Sequence, residues 1–270
     1  MTDIFQTFKP QHPLVARYVD YYYLEIKPAN VSNQFICFPH FNTTLSLYKS
    51  HVRTADAEMV FTPGGQPLQL FTPLREKVLL VKRLGPLHRV VIVFHPLGIQ
   101  QFYAGIDFTD FIKDVAFFSP QELDLLLGTT DTNELINYLD RFLFDRFTGF
   151  KIDLLDHCIN YIFRHAEGFS VGDFSAHSQV SRRHLNRLFQ THLGVSVKRF
   201  YEIVLFRKTI KQKLFVTPQE NFTRLAYEFN FNDQSHFNKI YKKFTANTPA
   251  QFFKRGTLLG HTDTFWHLLK

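Results

Sequence analysis

Leu225-Ala226-Tyr227-Glu228-Phe229-Asn230-Phe231-Asn232-Asp233-Gln234-Ser235-His236-Phe237-Asn238-Lys239-Ile240-Tyr241-Lys242-Lys243-Phe244 reads as two short helices joined by a turn. Leu225-Ala226 begins the first helix, which ends at Phe229. Asn230-Phe231-Asn232 forms the turn, and Asp233 can cap the second helix with its carboxylate. Phe237, Ile240, Tyr241 and Phe244 recur at three-to-four spacing and define an inward face. That leaves Gln234, Ser235, His236, Asn238, Lys239 and Lys242 on the outer side. A short helix pair whose second member carries a polar, cationic outer face is the sequence form of a helix-turn-helix.

An earlier stretch repeats the pattern. Ser170-Val171-Gly172-Asp173 supplies a serine cap with an acid three residues on, opening a short helix that carries Phe174. After a break at Ser178-Gln179-Val180, Ser181 can cap a second helix. Its Leu185, Leu188, Phe189 and Leu193 face inward, and Gly194 closes it. Arg182, Arg183, Asn186 and Arg187 then lie outside. Ser175 corresponds to Ala226, Val180 to Phe231, Leu185 to Phe237 and Arg187 to Lys239, with one residue inserted in the second copy, so the unit is internally duplicated. Between the copies, about 196–214, Phe200, Val204 and Leu214 lie on one side of a single long helix. Such a bridge fixes the separation of the two outer faces, as reading successive major grooves ~34 Å apart requires. A further helix precedes the first unit, with Ile152, Leu155, Ile159, Ile162 and Phe163 as its stripe.

Charge follows the same division. The formal net charge is +7, but residues 180–255 hold 15 Lys/Arg against 4 Asp/Glu, a local +11, so the remainder is −4. A basic block on a mildly acidic body suits a polyanion partner. The 270 residues exceed the ordinary size of one domain, and 45% hydrophobic with 20% charged residues is a globular composition that excludes disorder as the main state. Cys37 and Cys158 are too far apart for a zinc knuckle or redox pair and read as thiols of a reducing compartment. Without a leader-like start or an apolar run of spanning length, the expected location is cytoplasmic.

The first part of the chain reads differently. Phe35-Ile36-Cys37-Phe38, Thr44-Leu45-Ser46-Leu47-Tyr48, Met59-Val60-Phe61, Val78-Leu79-Leu80-Val81 and Val90-Val91-Ile92-Val93-Phe94 are β-favouring runs between turns at Pro63-Gly64-Gly65, Gly85-Pro86 and Pro96-Leu97-Gly98. The fold class is therefore α+β: a β-rich domain at 1–118, a small barrel-like fold or a sandwich, a helical linker at 119–150, an all-α domain with two helix-turn-helix units joined by a long helix at 151–255, and a tail at 256–270. Tyr21-Tyr22-Tyr23 and Phe35-Ile36-Cys37-Phe38 can line an apolar pocket or simply pack strands. The tail, with Phe265, Trp266, Leu268 and Leu269, can dock on the protein or on a partner.

Residues 151–255 resemble the AraC/XylS family of bacterial transcription regulators. The likeness is carried by 225–244 with Thr248-Pro249 and Phe252, and by Ser181, Leu185, Arg187, Phe189, Gly194 and Arg207. Where that family has glycine, this chain has Gln179 and Asn230 in the turns and Asn247 before Thr-Pro; Lys239 stands where arginine is frequent, and Lys211 where alanine is. Pro13-Leu14, Val19-Asp20-Tyr21-Tyr22-Tyr23 and Val93-Phe94-His95-Pro96-Leu97-Gly98 loosely resemble the cupin-like sensor domains attached to such regulators. The resemblance implies sequence-specific binding to double-stranded promoter DNA, activation with RNA polymerase as partner, an effector or dimer role for the first domain, and a bracing role for Arg207 against the first unit.

The DNA-binding candidates are Arg182, Arg183, Asn186, Arg187, Gln234, Ser235, His236, Lys239 and Lys242. Arginine pairs bidentately with guanine and amides pair with adenine, whereas lysine keeps charge without the fork. Lys198, Arg199, Lys242, Lys243, Lys254 and Arg255 suit backbone neutralisation better than sequence reading. His40, His51, His88 and His95 share the β domain without the spacing of a dependable ligand pair, so no metal is expected. No nucleophile elbow, phosphate loop or HExxH segment occurs, and no cofactor or catalytic residue is expected. The rival readings are an N-terminal barrel enzyme with an accessory DNA-targeting helical part, and a nonspecific nucleoid-associated binder.

Overall fold

The computed structural model describes residues 2–106, 108, 112–231, 234–258 and 265–269. Its β strands are β1 (Ile4–Phe8), β2 (Val19–Lys27), β3 (Ser32–Cys37), β4 (Thr43–Tyr48), β5 (His51–Ala55), β6 (Glu58–Phe61), β7 (Leu68–Thr72), β8 (Leu79–Leu84), β9 (Leu87–Phe94), β10 (Lys113–Asp114), β11 (Thr257–Leu258) and β12 (Phe265–Leu269). They form two six-stranded sheets, ordered β1-β2-β9-β4-β7-β10 and β11-β12-β3-β8-β6-β5. Of the two expected forms, barrel or sandwich, no closed barrel forms among the described residues, because each sheet ends in its own edge strands, including the two-residue β10 and β11.

Strand alternation explains the layers. In β2, Tyr22, Leu24 and Ile26 join one apolar cluster while Tyr21 and Tyr23 join another on the opposite face. Leu45 and Leu47 of β4 and Val90, Ile92 and Phe94 of β9 share the first side, against helices α1 (Pro120–Gly128) and α2 (Thr132–Asp145). The sequence offered that segment as a linker; its Leu123, Leu126, Leu135, Leu139 and Leu143 are core residues of the sheet face. Asp140 of α2 further accepts hydrogen bonds from Tyr22 Oη at 2.8 Å and from the backbone of Gln11 and His12 at 2.7 Å. The other face of the first sheet turns toward the second sheet, where Phe35, Met59, Leu79 and Val81 pack.

The helical part contains α3 (Asp153–Arg164), α4 (Val171–His177), α5 (Arg182–Leu193), α6 (Val197–Lys211), α7 (Phe222–Glu228), α8 (Gln234–Thr245) and α9 (Pro249–Arg255). Caps set the starts: Ser170, Ser181 and Ser196 accept from the backbone of Asp173, His184 and Arg199. Asn221 caps α7, which therefore begins three residues before the Leu225 read from the sequence. The Asp233 cap and the Asn232 turn residue lie outside the described residues. Gly194 ends α5 at φ +73°, as its sequence position foretells. A π-type segment, Gln212–Val216, follows α6 and leads to the second unit.

The duplication is visible atom by atom. Val180 N donates to Ser175 O and Phe231 N to Ala226 O, both at 3.0 Å. Gln179 at φ +54° and Asn230 at φ +53° occupy the same left-handed position in the two turns. Near Thr248-Pro249 the left-handed residue is Ala246 at φ +56°, one before the Asn247 singled out in the sequence. The left-handed conformation costs most L-residues ~1–2 kcal/mol. Gln179→Gly is expected to relieve that strain and raise stability by ~0.5–1 kcal/mol net of unfolded-state entropy, read as a higher midpoint in thermal unfolding.

Candidate functional site

The two candidate reading helices are α5 and α8. On α5, Arg182, Arg183 and Arg187 are exposed, while Leu185, Phe189 and Leu193 are buried on the opposite side. Arg187 Nη2 lies 3.0 Å from His184 Nδ1, so the imidazole steadies the guanidinium without covering it. Asn186 is placed otherwise: its Nδ2 donates to Arg182 O at 3.0 Å, and its Oδ1 accepts from Val197 N, the first helical residue of α6, at 3.2 Å. Both ends of this amide are engaged in joining α5 to α6. On α8, Gln234, Ser235, His236, Lys239 and Lys242 are exposed, with Phe237, Ile240, Tyr241 and Phe244 inward.

Among the cations suited to phosphates, Lys198, Lys254 and Arg255 are exposed. Arg199 is shared by Glu76 and Glu202, at 3.0 and 3.1 Å, and Lys243 binds Glu202 at 2.6 Å. These ion pairs reduce the charge both residues can offer to DNA.

Helix α6 fixes the two units. Its Val197, Phe200, Ile203, Val204, Phe206 and Ile210 are buried in the core that also holds Leu185 and Phe189 of α5 and Phe237, Tyr241 and Phe244 of α8. Fifteen residues give a rod about 22 Å long. The same helix holds the sheets: buried Arg207 donates from Nε to Pro39 O at 2.6 Å and from Nη2 to Phe38 O at 3.0 Å. Its bracing role is therefore directed at the β half of the chain. The first unit meets that half again where Gln100 Nε2 donates to His192 O at 2.7 Å, and where a Cβ on Gly194 would fall 2.6 Å from Phe108 O.

A second feature lay hidden in the sequence. Between the sheets is a pocket lined by Tyr21, Tyr23, Phe35, Cys37, Tyr48, Met59, Leu70, Val81 and Val93 and by four arginines, Arg75, Arg83, Arg89 and Arg207. The aromatic segments named above thus do line a pocket. The arginines were not singled out, although a lone charge inside the apolar run Leu87–Phe94 is a signal that Arg89 faces something special. Buried Glu25 ties Arg83 at 3.0 Å and Arg89 at 2.7 Å. The Nε atoms of Arg75 and Arg83 are buried without a hydrogen-bond partner.

Burial alone would raise the Glu25 carboxyl, but Arg83, Arg89 and Lys27 outweigh it and bring it down to about 2. Desolvation holds His51 low and His88 at about 4, so both are neutral near pH 7. Among the described residues no group of His, Cys, Asp or Glu could hold a metal ion, and no helix is long and apolar enough to cross a membrane. Because the folded-state value of Glu25 lies below the ordinary 4.5, its contribution to stability is fully present above that pH and is lost as the pH falls toward 2. Glu25→Gln is expected to cost ~3–5 kcal/mol by leaving two buried guanidiniums without a counter-charge. Denaturant titrations at several pH values should show that the variant has lost this acid-dependent component.

Residues 174–255 match the family described as "Helix-turn-helix domain". No curated protein sequence matches the chain. Among solved structures, the chain is similar to ToxT from Vibrio cholerae (P21 form), at 9% identity over 86% of this chain and 98% of that one, with a TM-score of 0.49. Wild-type ToxT of strain SCE256 with bound unsaturated fatty acid follows at 11% identity, covering 86% and 94% of the two chains, with a TM-score of 0.44. The duplicated units and their bridge agree with the family match, which covers both units from Phe174 of α4 to Arg255 of α9. Residues 174–255 of this chain carry a helix-turn-helix domain.

Proposed function

We propose that the protein is a sequence-specific activator in the cytoplasm that sets α5 and α8 into successive major grooves of one promoter duplex. The observation that carries this reading is the pair of exposed polar helix faces on units sharing the buried helix α6. Arg182, Arg183 and Arg187 form the first reading face, and Gln234, Ser235, His236, Lys239 and Lys242 the second. Asn186, with its amide engaged between α5 and α6, acts as a brace for the first face. An activator of this kind works with RNA polymerase, and its N-terminal half serves to sense an effector and to pair two chains. Arg187→Ala and Lys239→Ala are each expected to weaken specific binding by ~1–3 kcal/mol while leaving affinity for random duplex nearly unchanged. Gel shifts at matched salt test this. Equal affinities of the intact chain for promoter and random DNA would instead identify a nonspecific binder.

The effector that fits the inter-sheet cavity is a small organic anion with an apolar body. Four arginines share the cavity, Glu25 neutralises only part of their charge, and the rest of the wall is largely aromatic and aliphatic. A buried excess of positive charge is costly without a counter-ion. Because Arg207 reaches the cavity from α6, an occupant there acts on the helix that spaces the two reading faces. A medium-chain carboxylate is expected to raise the thermal midpoint, the alcohol of the same length to have little effect, and Arg75→Ala to remove the difference. Scanning calorimetry of the intact chain reads all three.

A further inference from the structure

The tail that follows the second unit is seated on the β half of the chain. Strand β12 pairs antiparallel with β3, His267 opposite Ile36, Leu268 opposite Phe35 and Leu269 opposite Gln34, and β11 pairs with β12. Without the tail, β3 would be an open sheet edge with unpaired backbone groups. Its seat is also the end of α9. His267 is buried, its Nε2–H donates to Phe252 O at 2.8 Å, and its ring stands 4.6 Å from Phe38 and 5.1 Å from Phe252. Phe38 and Phe252 meet edge to face at 4.8 Å. From Phe252 the contact passes to Tyr241, 5.5 Å away on the buried side of α8.

We propose that the paired strands β11 and β12 are a strap that positions the second reading helix, with His267 as its positioning residue. This rests on the reading of α8 as a DNA-contacting helix. The first unit is tied to the β half by Gln100 and the close approach at Gly194, and the bridge α6 by Glu76 and by Arg207, whereas the second unit reaches it through Phe252, Phe38 and the strap. With the strap docked, Gln234, Ser235, His236, Lys239 and Lys242 stay exposed. The strap therefore acts by holding α8 in one place, not by covering it, and a helix already held in place loses less freedom on binding.

The test uses the intact chain and a duplex that this chain selects from random sequence, examined by footprinting. The half-site weakened by Lys239→Ala marks where α8 binds. His267→Ala is expected to weaken protection of that half-site about tenfold and leave the other unchanged, and His267→Gln, which retains an N–H donor, to restore it. A chain ending at Gly256 is expected to behave as His267→Ala does. Unchanged protection in both His267→Ala and the shortened chain, or loss of both half-sites together, overturns the strap. If Lys239→Ala weakens neither half-site, the reading of α8 itself fails, a result distinct from failure of the strap.

Discussion

The burial of α6 on most of its circumference is the constraint from which the rest of the molecule follows. A helix with Phe200, Ile203, Val204, Phe206 and Ile210 all enclosed cannot rotate or slide without opening the core it shares with α5 and α8. The two outer faces consequently hold a set relation, which is what a duplex of regular pitch requires of a single chain. The same rod brings Arg207 to the carbonyls of Phe38 and Pro39, so spacing of the reading helices and docking on the sheets are properties of one element.

The β half is built around a contrast between the two faces of one sheet. One face is mostly apolar and covered by α1 and α2; the other carries Tyr21, Tyr23, Glu25 and Arg89 toward the second sheet. A buried carboxylate between two guanidiniums is a weak source of net stability compared with packed apolar groups, since its attraction is set against heavy desolvation. Its presence at the cavity, together with two further arginines, accords with the anionic effector proposed above. The cavity ends at Phe38, which also meets Phe252 and His267, so cavity, bridge and strap adjoin within a few residues of the end of β3.

Gln179, Asn230 and Ala246 all take the left-handed conformation that glycine adopts without penalty. The turn geometry is imposed by packing on both sides, Phe174 and Leu185 in one unit, Leu225 and Phe237 in the other, and the side chain present accepts the strain. Only Asn230 is of a type that tolerates this region readily.

The sequence by itself determined the helical units, their duplication, the serine caps, the exposed cationic faces and the single bridge, because each depends on local periodicity and on residues within one or two turns of one another. Five β runs were legible for the same reason, while β1, β2, β5 and β7 lacked an unambiguous pattern. Tertiary structure alone decided that the sheets stay open, that α1 and α2 belong to a sheet face, that Asn186 joins two helices, that four arginines from two strands, the β7–β8 connection and a distant helix share one cavity, and that the tail completes a sheet begun more than two hundred residues earlier. These are long-range pairings in which each partner is unremarkable in its own neighbourhood. Charge and edge complementarity between distant segments leave no period in the chain, and they emerge only when the sheets and the helical core have fixed where those segments meet.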